Sequence, residues 1–264
     1  YNCSSLRSIS LPAVTSIGGY AFYGCSSLSE IVLGDQLTSM VSNAYHSQLG
    51  NGGYAFYGCT SLTTIYLSAA LSAIPTGTFY GCENLESVVI PDSVTSIGQY
   101  AFYGCAGLTE INIPSAVTTI GTGAFGACLG LETFNVYSGG YFVSDGVLYD
   151  IDMTELIKVP VSFEGEFTVP DTVTTIQAGA FAGSGVTKVT LPEDLKSIGT
   201  GLFDGCTELA EVVLPDTVTT IGDYAFRNTK ISSINLPTGL TSIGESAFAG
   251  CTALESIFIP YSIL

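Results

Sequence analysis

Basic residues are scarce in this chain: Arg7, Lys158, Lys188, Lys196, Arg227 and Lys230 stand against 23 acidic residues, for a formal charge of −17. Nucleic acid and anionic membrane surfaces both require clustered Lys and Arg, and these six are scattered, so neither is an expected partner. No stretch approaches the roughly 18 consecutive apolar residues of a membrane span, which excludes insertion of a helix into a bilayer. Histidine occurs once, as His46. Nucleophilic catalysis by Ser or Cys with His would have to use it, and no fixed Asp stands beside it in sequence. One His and no CxxC cannot supply the usual ligand set of a zinc site. A phosphate-cradling Gly loop is missing too, because glycine recurs here as a turn residue. The expectation is therefore no enzyme, no metal and no cofactor. Asp145, Asp150, Asp152 and Glu155 do gather carboxylate oxygens, but their spacing is not that of an EF-hand loop; an ordinary acidic turn is the expectation, with calcium as the alternative.

What the chain has instead is self-similarity. The segment CxxLxxIxLPxxVTSIGxxAFxGC recurs with drift about eleven times at a period of about 23 residues, the mark of a solenoid. Each unit is too small to bury its own apolar side and must stack on its neighbours. Glu110-Ile111-Asn112-Ile113 alternates polar and apolar, as a strand with one buried face does, and Pro114 closes it by removing a donor. A second apolar pair, such as Val94 and Ile97 or Val117 and Ile120, predicts a second short extended segment. Ala-Phe pairs such as Ala101-Phe102 predict a brief helical or 3₁₀ turn that drives Phe into the core, and Gly-Cys then turns the chain. The fold class is thus a β-dominated repeat solenoid with short helical or 3₁₀ turns, one continuous repeat domain over residues 1–264. Tyr1-Asn2-Cys3 matches the end of a Phe-Tyr-Gly-Cys junction, so the chain begins inside a repeat.

The period breaks twice. The Cys25 to Cys59 interval is longer than the rest by about eleven residues, which predicts a surface loop near 41–53 that carries His46. Near 138–162, Tyr141 to Tyr149 and Thr154 to Pro160 read as two strands joined at Asp150–Met153, a β-hairpin inserted between coils. Cys3, Cys25, Cys59, Cys82, Cys105, Cys128, Cys206 and Cys251 all occupy one repeat position, where Ser184 and Thr229 also stand. Cys206 then has no cysteine in either adjacent coil, and stacked coils hold equivalent Cβ atoms about 4.8 Å apart, beyond the reach that a disulfide prefers. A ladder of reduced, buried thiols is expected.

The run Leu214 to Phe226 (LPDTVTTIGDYAF), the Phe-Tyr-Gly-Cys junctions and the Ser144 to Pro160 segment (SDGVLYDIDMTELIKVP) resemble the BspA-like leucine-rich repeats of oral and gut bacteria. The resemblance covers nearly the whole chain. It implies an exported, surface-attached protein, extracellular or at the cell surface, with adhesion to host matrix proteins or to other bacteria as the family's kind of role. It transfers no binding residue, because the repeat consensus is structural, and no signal or anchoring segment is visible in the sequence.

Two surfaces are candidates for recognition. The outward residues of the stacked first strands vary where the core does not constrain them. Val32, Tyr66, Val89, Asn112 and Asn135 form one such column, suited to a protein partner, or merely the solvated side of a sheet whose β-branched residues favour strands. A second column holds Tyr1, Tyr23, Tyr57, Tyr80 and Tyr103, and the same position then becomes Gly126, Ala182, Asp204, Arg227 and Ala249. Such a tyrosine ladder offers flat amphipathic rings to a glycan or a protein, unless the rings only pack on each other. The expected function is noncatalytic binding of a macromolecule, a protein first, with a carbohydrate-binding module or a passive spacer as alternatives.

Overall fold

The computed structural model describes residues 1–40, 44–46 and 50–263. The chain is a β-solenoid of about ten turns with a single short 3₁₀ helix, Tyr261–Ile263, among the described residues. It divides into two compact units, Tyr1–Val143 and Ser144–Leu264.

In the first unit each turn but the last contributes one longer strand and one two-residue strand. The longer strands, Ser8–Leu11, Glu30–Leu33, Thr64–Tyr66, Ser87–Val89, Glu110–Ile113 and Thr133–Val136, are parallel wherever they pair, with repeat-equivalent residues opposite each other. Thus Ile9 faces Ile31, Ile65 faces Val88, and Ile111 faces Phe134. A one-residue slip would turn every inward Ile to solvent, so the hydrophobic alternation locks this register. The short strands stack the same way, Ile74 on Ile97 on Ile120. The core between the two columns is a stack of phenylalanines, with Phe56, Phe79, Phe102 and Phe125 almost parallel at centroid spacings of 5.3–5.8 Å.

The Ala-Phe segment is a run of separate three-residue-spaced turns rather than a helix. Main-chain bonds run from Tyr103 to Tyr100 and from Cys105 to Phe102, while Tyr100 and Gly104 sit at φ of 55° and 74°. A left-handed residue on either side stops a helix from propagating, and the turn points Phe inward all the same. Stacking also demands close approach: a Cβ at Gly98 would lie 2.4 Å from the Thr76 nitrogen of the preceding coil. Within the first insertion the chain forms an antiparallel pair, Ala44–His46 with Gly50–Gly52, where the sequence predicted a loop; the side chains there, His46 included, lie outside the described residues.

In the second unit the longer strands are Glu164–Thr168, Gly185–Thr190 and Glu211–Val213, again parallel, and the short ones are Thr175–Ile176, Ser197–Ile198, Thr220–Ile221 and Ser242–Ile243. Within this unit Phe181, Phe203, Phe226 and Phe248 stack in turn at centroid spacings of 5.2–5.4 Å. The repeat positions at Ser233–Asn235 and Ser256–Phe258 form no strand.

The second insertion differs from a simple hairpin. Its predicted first strand is cut in two, Tyr141–Ser144 and Val147–Asp150, because Asp145 and Gly146 adopt φ of 49° and 81°. Val147–Asp150 then pairs antiparallel with Glu155–Lys158, whose other edge runs parallel to Thr175–Ile176 with Leu156 opposite Ile176. Glu155–Lys158 therefore serves as the short strand of a solenoid turn. Val159 donates to the Ala180 carbonyl as Phe102 does to Ala124, so it stands at the Phe position, and Lys158 stands at the preceding Ala position. Lys158 is fully buried, with Nζ donating to the carbonyls of Gly179 at 3.1 Å and Ala182 at 2.9 Å. Those carbonyls satisfy part of a charge that burial would otherwise penalise heavily.

Candidate functional site

Strand alternation puts Val32, Tyr66 and Val89 on the outer side of the first unit's sheet, at 48%, 70% and 51% exposure, while Ile31, Ile65 and Val88 beside them are buried. Tyr66 lies directly opposite Val89 in register. The column turns polar at Asn112, which is exposed, and at Asn135, which is half-buried and donates from Nδ2 to Asn112 Oδ1 at 3.0 Å. The three apolar residues thus form a stripe across neighbouring coils, bordered by an amide pair whose facing groups satisfy each other. In the second unit the equivalent column shows Val213 and Phe258, 66% and 73% exposed.

The tyrosine ladder is built as a stack. Tyr1, Tyr23, Tyr57, Tyr80 and Tyr103 follow one another at centroid spacings of 4.6–4.9 Å with interplanar angles of 7–21°. Tyr23, Tyr57, Tyr80 and Tyr103 are half-buried. A second group backs them: Tyr20 on Tyr54 at 5.5 Å, and Tyr100 edge-on to Tyr103 at 5.6 Å. Tyr54 fills the space over Gly77, where a Cβ would meet its ring at 2.1 Å. Burial, and then the neighbouring phenols, raise the pKa values of Tyr23, Tyr54 and Tyr80 above the ordinary 10.0. Within the ladder the rings cover each other's faces.

All eight cysteines are free thiols, Cys3 exposed and the other seven buried. From Cys59 onward each thiol donates to the carbonyl of a core Phe one coil earlier: Cys82 to Phe56 at 3.1 Å, Cys105 to Phe79 at 3.2 Å, Cys128 to Phe102 at 3.1 Å. Burial pushes Cys59 up to about 12 and Cys206 up to about 11, so these groups stay protonated and unreactive at neutral pH. Ser184 at the same position lies 3.7 Å from Cys206 Sγ.

At the acidic turn, Asp150 Oδ1 accepts from the main-chain N–H of Thr154 and Glu155, and Oδ2 from the Thr154 hydroxyl, all at 2.6–2.7 Å. The carboxylate is used as a turn clamp. Among the described residues no group of three or more His, Cys, Asp or Glu is placed to hold a metal ion, and no helix is long and apolar enough to cross a membrane.

A parallel β-solenoid with a phenylalanine spine and variable outward strand residues defines a leucine-rich repeat protein. Residues 1–51, 52–154 and 174–264 match the BspA type leucine rich repeat region, and the chain belongs to that family. It is similar to a leucine rich cell surface protein of Faecalibacterium prausnitzii, at 31% identity and a TM-score of 0.75, over 97% of this chain and 74% of that one. It is also similar to the pneumococcal vaccine antigen PcpA, at 27% identity and a TM-score of 0.75, over 97% of this chain and 63% of that one, so it spans less than two thirds of that protein. A leucine-rich repeat protein of Eubacterium ventriosum shares the fold, at 24% identity and a TM-score of 0.54, over 90% of this chain and 80% of that one. No curated protein matches the chain in sequence.

Proposed function

We propose that this chain is a noncatalytic recognition module displayed outside the cell, and that it binds a protein partner through the outer sheet face of its first unit. The observation that carries the reading is the exposed stripe of Val32, Tyr66 and Val89, three apolar side chains that the core does not use. An aromatic flanked by aliphatic residues is the composition of a protein-binding hot spot, and stacked coils make its contacts contiguous. The likeness to a bacterial cell surface protein supports display at the surface; the partner class proposed is a host matrix protein or a protein of another cell surface.

The carbohydrate alternative rests on the tyrosine ladder, and ring stacking weakens it. Sugars pack on the flat face of an aromatic ring, and within the ladder those faces are already occupied at 4.6–4.9 Å. Matrix-protein and glycan arrays probed with the whole chain separate the two. Binding to a protein that is lost with Tyr66→Ala and Val89→Ser together, at unchanged melting temperature, is the expected result. Loss with Tyr57→Ala and Tyr80→Ala and silence of the sheet pair would assign the site to the ladder. Binding to neither array leaves a spacer.

A further inference from the structure

Glu30, Thr64, Ser87 and Glu110 occupy one outward position on successive coils of the first unit, two residues ahead of Val32, Tyr66, Val89 and Asn112. Thr64 stands opposite Ser87 in register, as Tyr66 stands opposite Val89. Both glutamates are exposed, and three coil spacings of about 4.8 Å set them about 14 Å apart along the solenoid. The same position in the second unit carries Glu166, Lys188 and Glu211 in register, and there Lys188 Nζ lies 2.7 Å from Glu211 Oε1. The first unit is built differently. Arg7 is the only Lys or Arg among residues 1–143, against seven Asp and Glu, and among the described residues Glu30 and Glu110 form no ion pair. The apolar stripe is therefore bracketed by two carboxylates that no Lys or Arg of the unit pairs.

We propose that the stripe takes a basic, extended segment of a partner protein, with a Lys or Arg for each of Glu30 and Glu110 and an apolar side chain between them on Tyr66 and Val89. The proposal deepens the protein-recognition reading above and rests on it. The spacing follows from strand geometry. An extended chain rises about 3.3 Å per residue and alternates its side chains, so residues i, i+2 and i+4 share a face and the outer two lie about 13 Å apart. That matches the separation of the two glutamates and sets the middle residue over Tyr66 and Val89, beside the small side chains of Thr64 and Ser87. Lys and Arg lay their stems on apolar surface while the charged end reaches outward, so one side chain can use the stripe and a carboxylate together. An acidic segment would meet like charge at both ends of the stripe, and charge complementarity thus selects among apolar partners.

The test selects a random linear heptapeptide phage library on the whole chain, and measures the selected peptides on two double variants. One is Glu30→Gln with Glu110→Gln. The other, Asp171→Asn with Glu245→Gln, is a control that removes two exposed charges from the second unit instead. All four side chains are exposed and outside any ion pair among the described residues, so both variants keep the fold. Expected are heptapeptides with Lys or Arg at i and i+4 around an aliphatic or aromatic residue. They should bind the wild-type chain and the control alike, bind the Glu30 and Glu110 variant about tenfold more weakly, and weaken as salt is raised. Enrichment without the basic pair, failure of any heptapeptide to enrich, undiminished affinity in the Glu30 and Glu110 variant, or an equal loss in the control would overturn the proposal. The Tyr66 and Val89 double variant, probed on the matrix-protein array, tells such a failure from failure of the sheet-face reading. Loss of protein binding there alongside any of these results removes the basic pattern alone, and retention removes the sheet face as well.

Discussion

Alkali should unfold this protein because its thiols are buried. Burial first, then the neighbouring thiol, pushes Cys59 up to about 12 and Cys82 and Cys105 well above the ordinary 9.0, and burial raises Cys206 to about 11. In the unfolded chain all four titrate near 9.0. With the folded pKa raised, the folded state holds its proton while the unfolded state releases it, so stability is whole below pH 9 and is lost as pH rises toward the folded values. At pH 10 each thiol favours the unfolded chain by roughly 1.4 kcal/mol, and four together by on the order of 5 kcal/mol. That is comparable with the roughly 5–15 kcal/mol that hold an ordinary domain together. Denaturant midpoints measured under reductant from pH 8 to 10 should therefore be flat at first and fall steeply from about pH 9. The range stops there because Tyr20, Tyr23, Tyr54, Tyr80 and Tyr149, raised by burial in the same direction, join in at higher pH. Replacing Cys82 and Cys105 by Ala should lower the starting stability, through two lost thiol donations, and reduce the slope by about half. A midpoint independent of pH to 10, or an undiminished slope in the double variant, refutes the reasoning.

Phe102→Ala should cost about 3–5 kcal/mol, since Phe102 is fully buried between Phe79 and Phe125, whereas Tyr66→Ala should stay within about 0.5 kcal/mol in the same denaturation assay. Alkylation of the native chain followed by mass spectrometry should modify Cys3 rapidly and the other seven cysteines only after denaturant is added. Gly77→Ala should destabilise by more than about 1 kcal/mol, because φ there is 63° and the new Cβ meets the Tyr54 ring; displacement of that ring should show in the near-ultraviolet tyrosine dichroism.

Much of this was legible because a repeat states each rule many times. Ile111, Ile97 and Phe102 recur at fixed offsets, and only stacking in register buries all of them, so the periodicity by itself determined the solenoid, the parallel pairing, the inward phenylalanines and the outward position of Tyr66 and Val89. The family resemblance was legible for the same reason, in the junctions and in the Ser144–Pro160 segment. What escaped is what depends on a single coil's neighbours. The Ala-Phe element reads in sequence as a brief helical or 3₁₀ turn, and only the left-handed Tyr100 and Gly104 show that it breaks into separate turns with bonds three residues apart. Glu155–Lys158 reads as half of a hairpin. Its second role as a solenoid strand, with Lys158 in an alanine position, depends on the edge offered by Thr175–Ile176. The tyrosine column was readable as a column, but whether its rings presented faces or edges was decided by rotamers chosen in mutual contact.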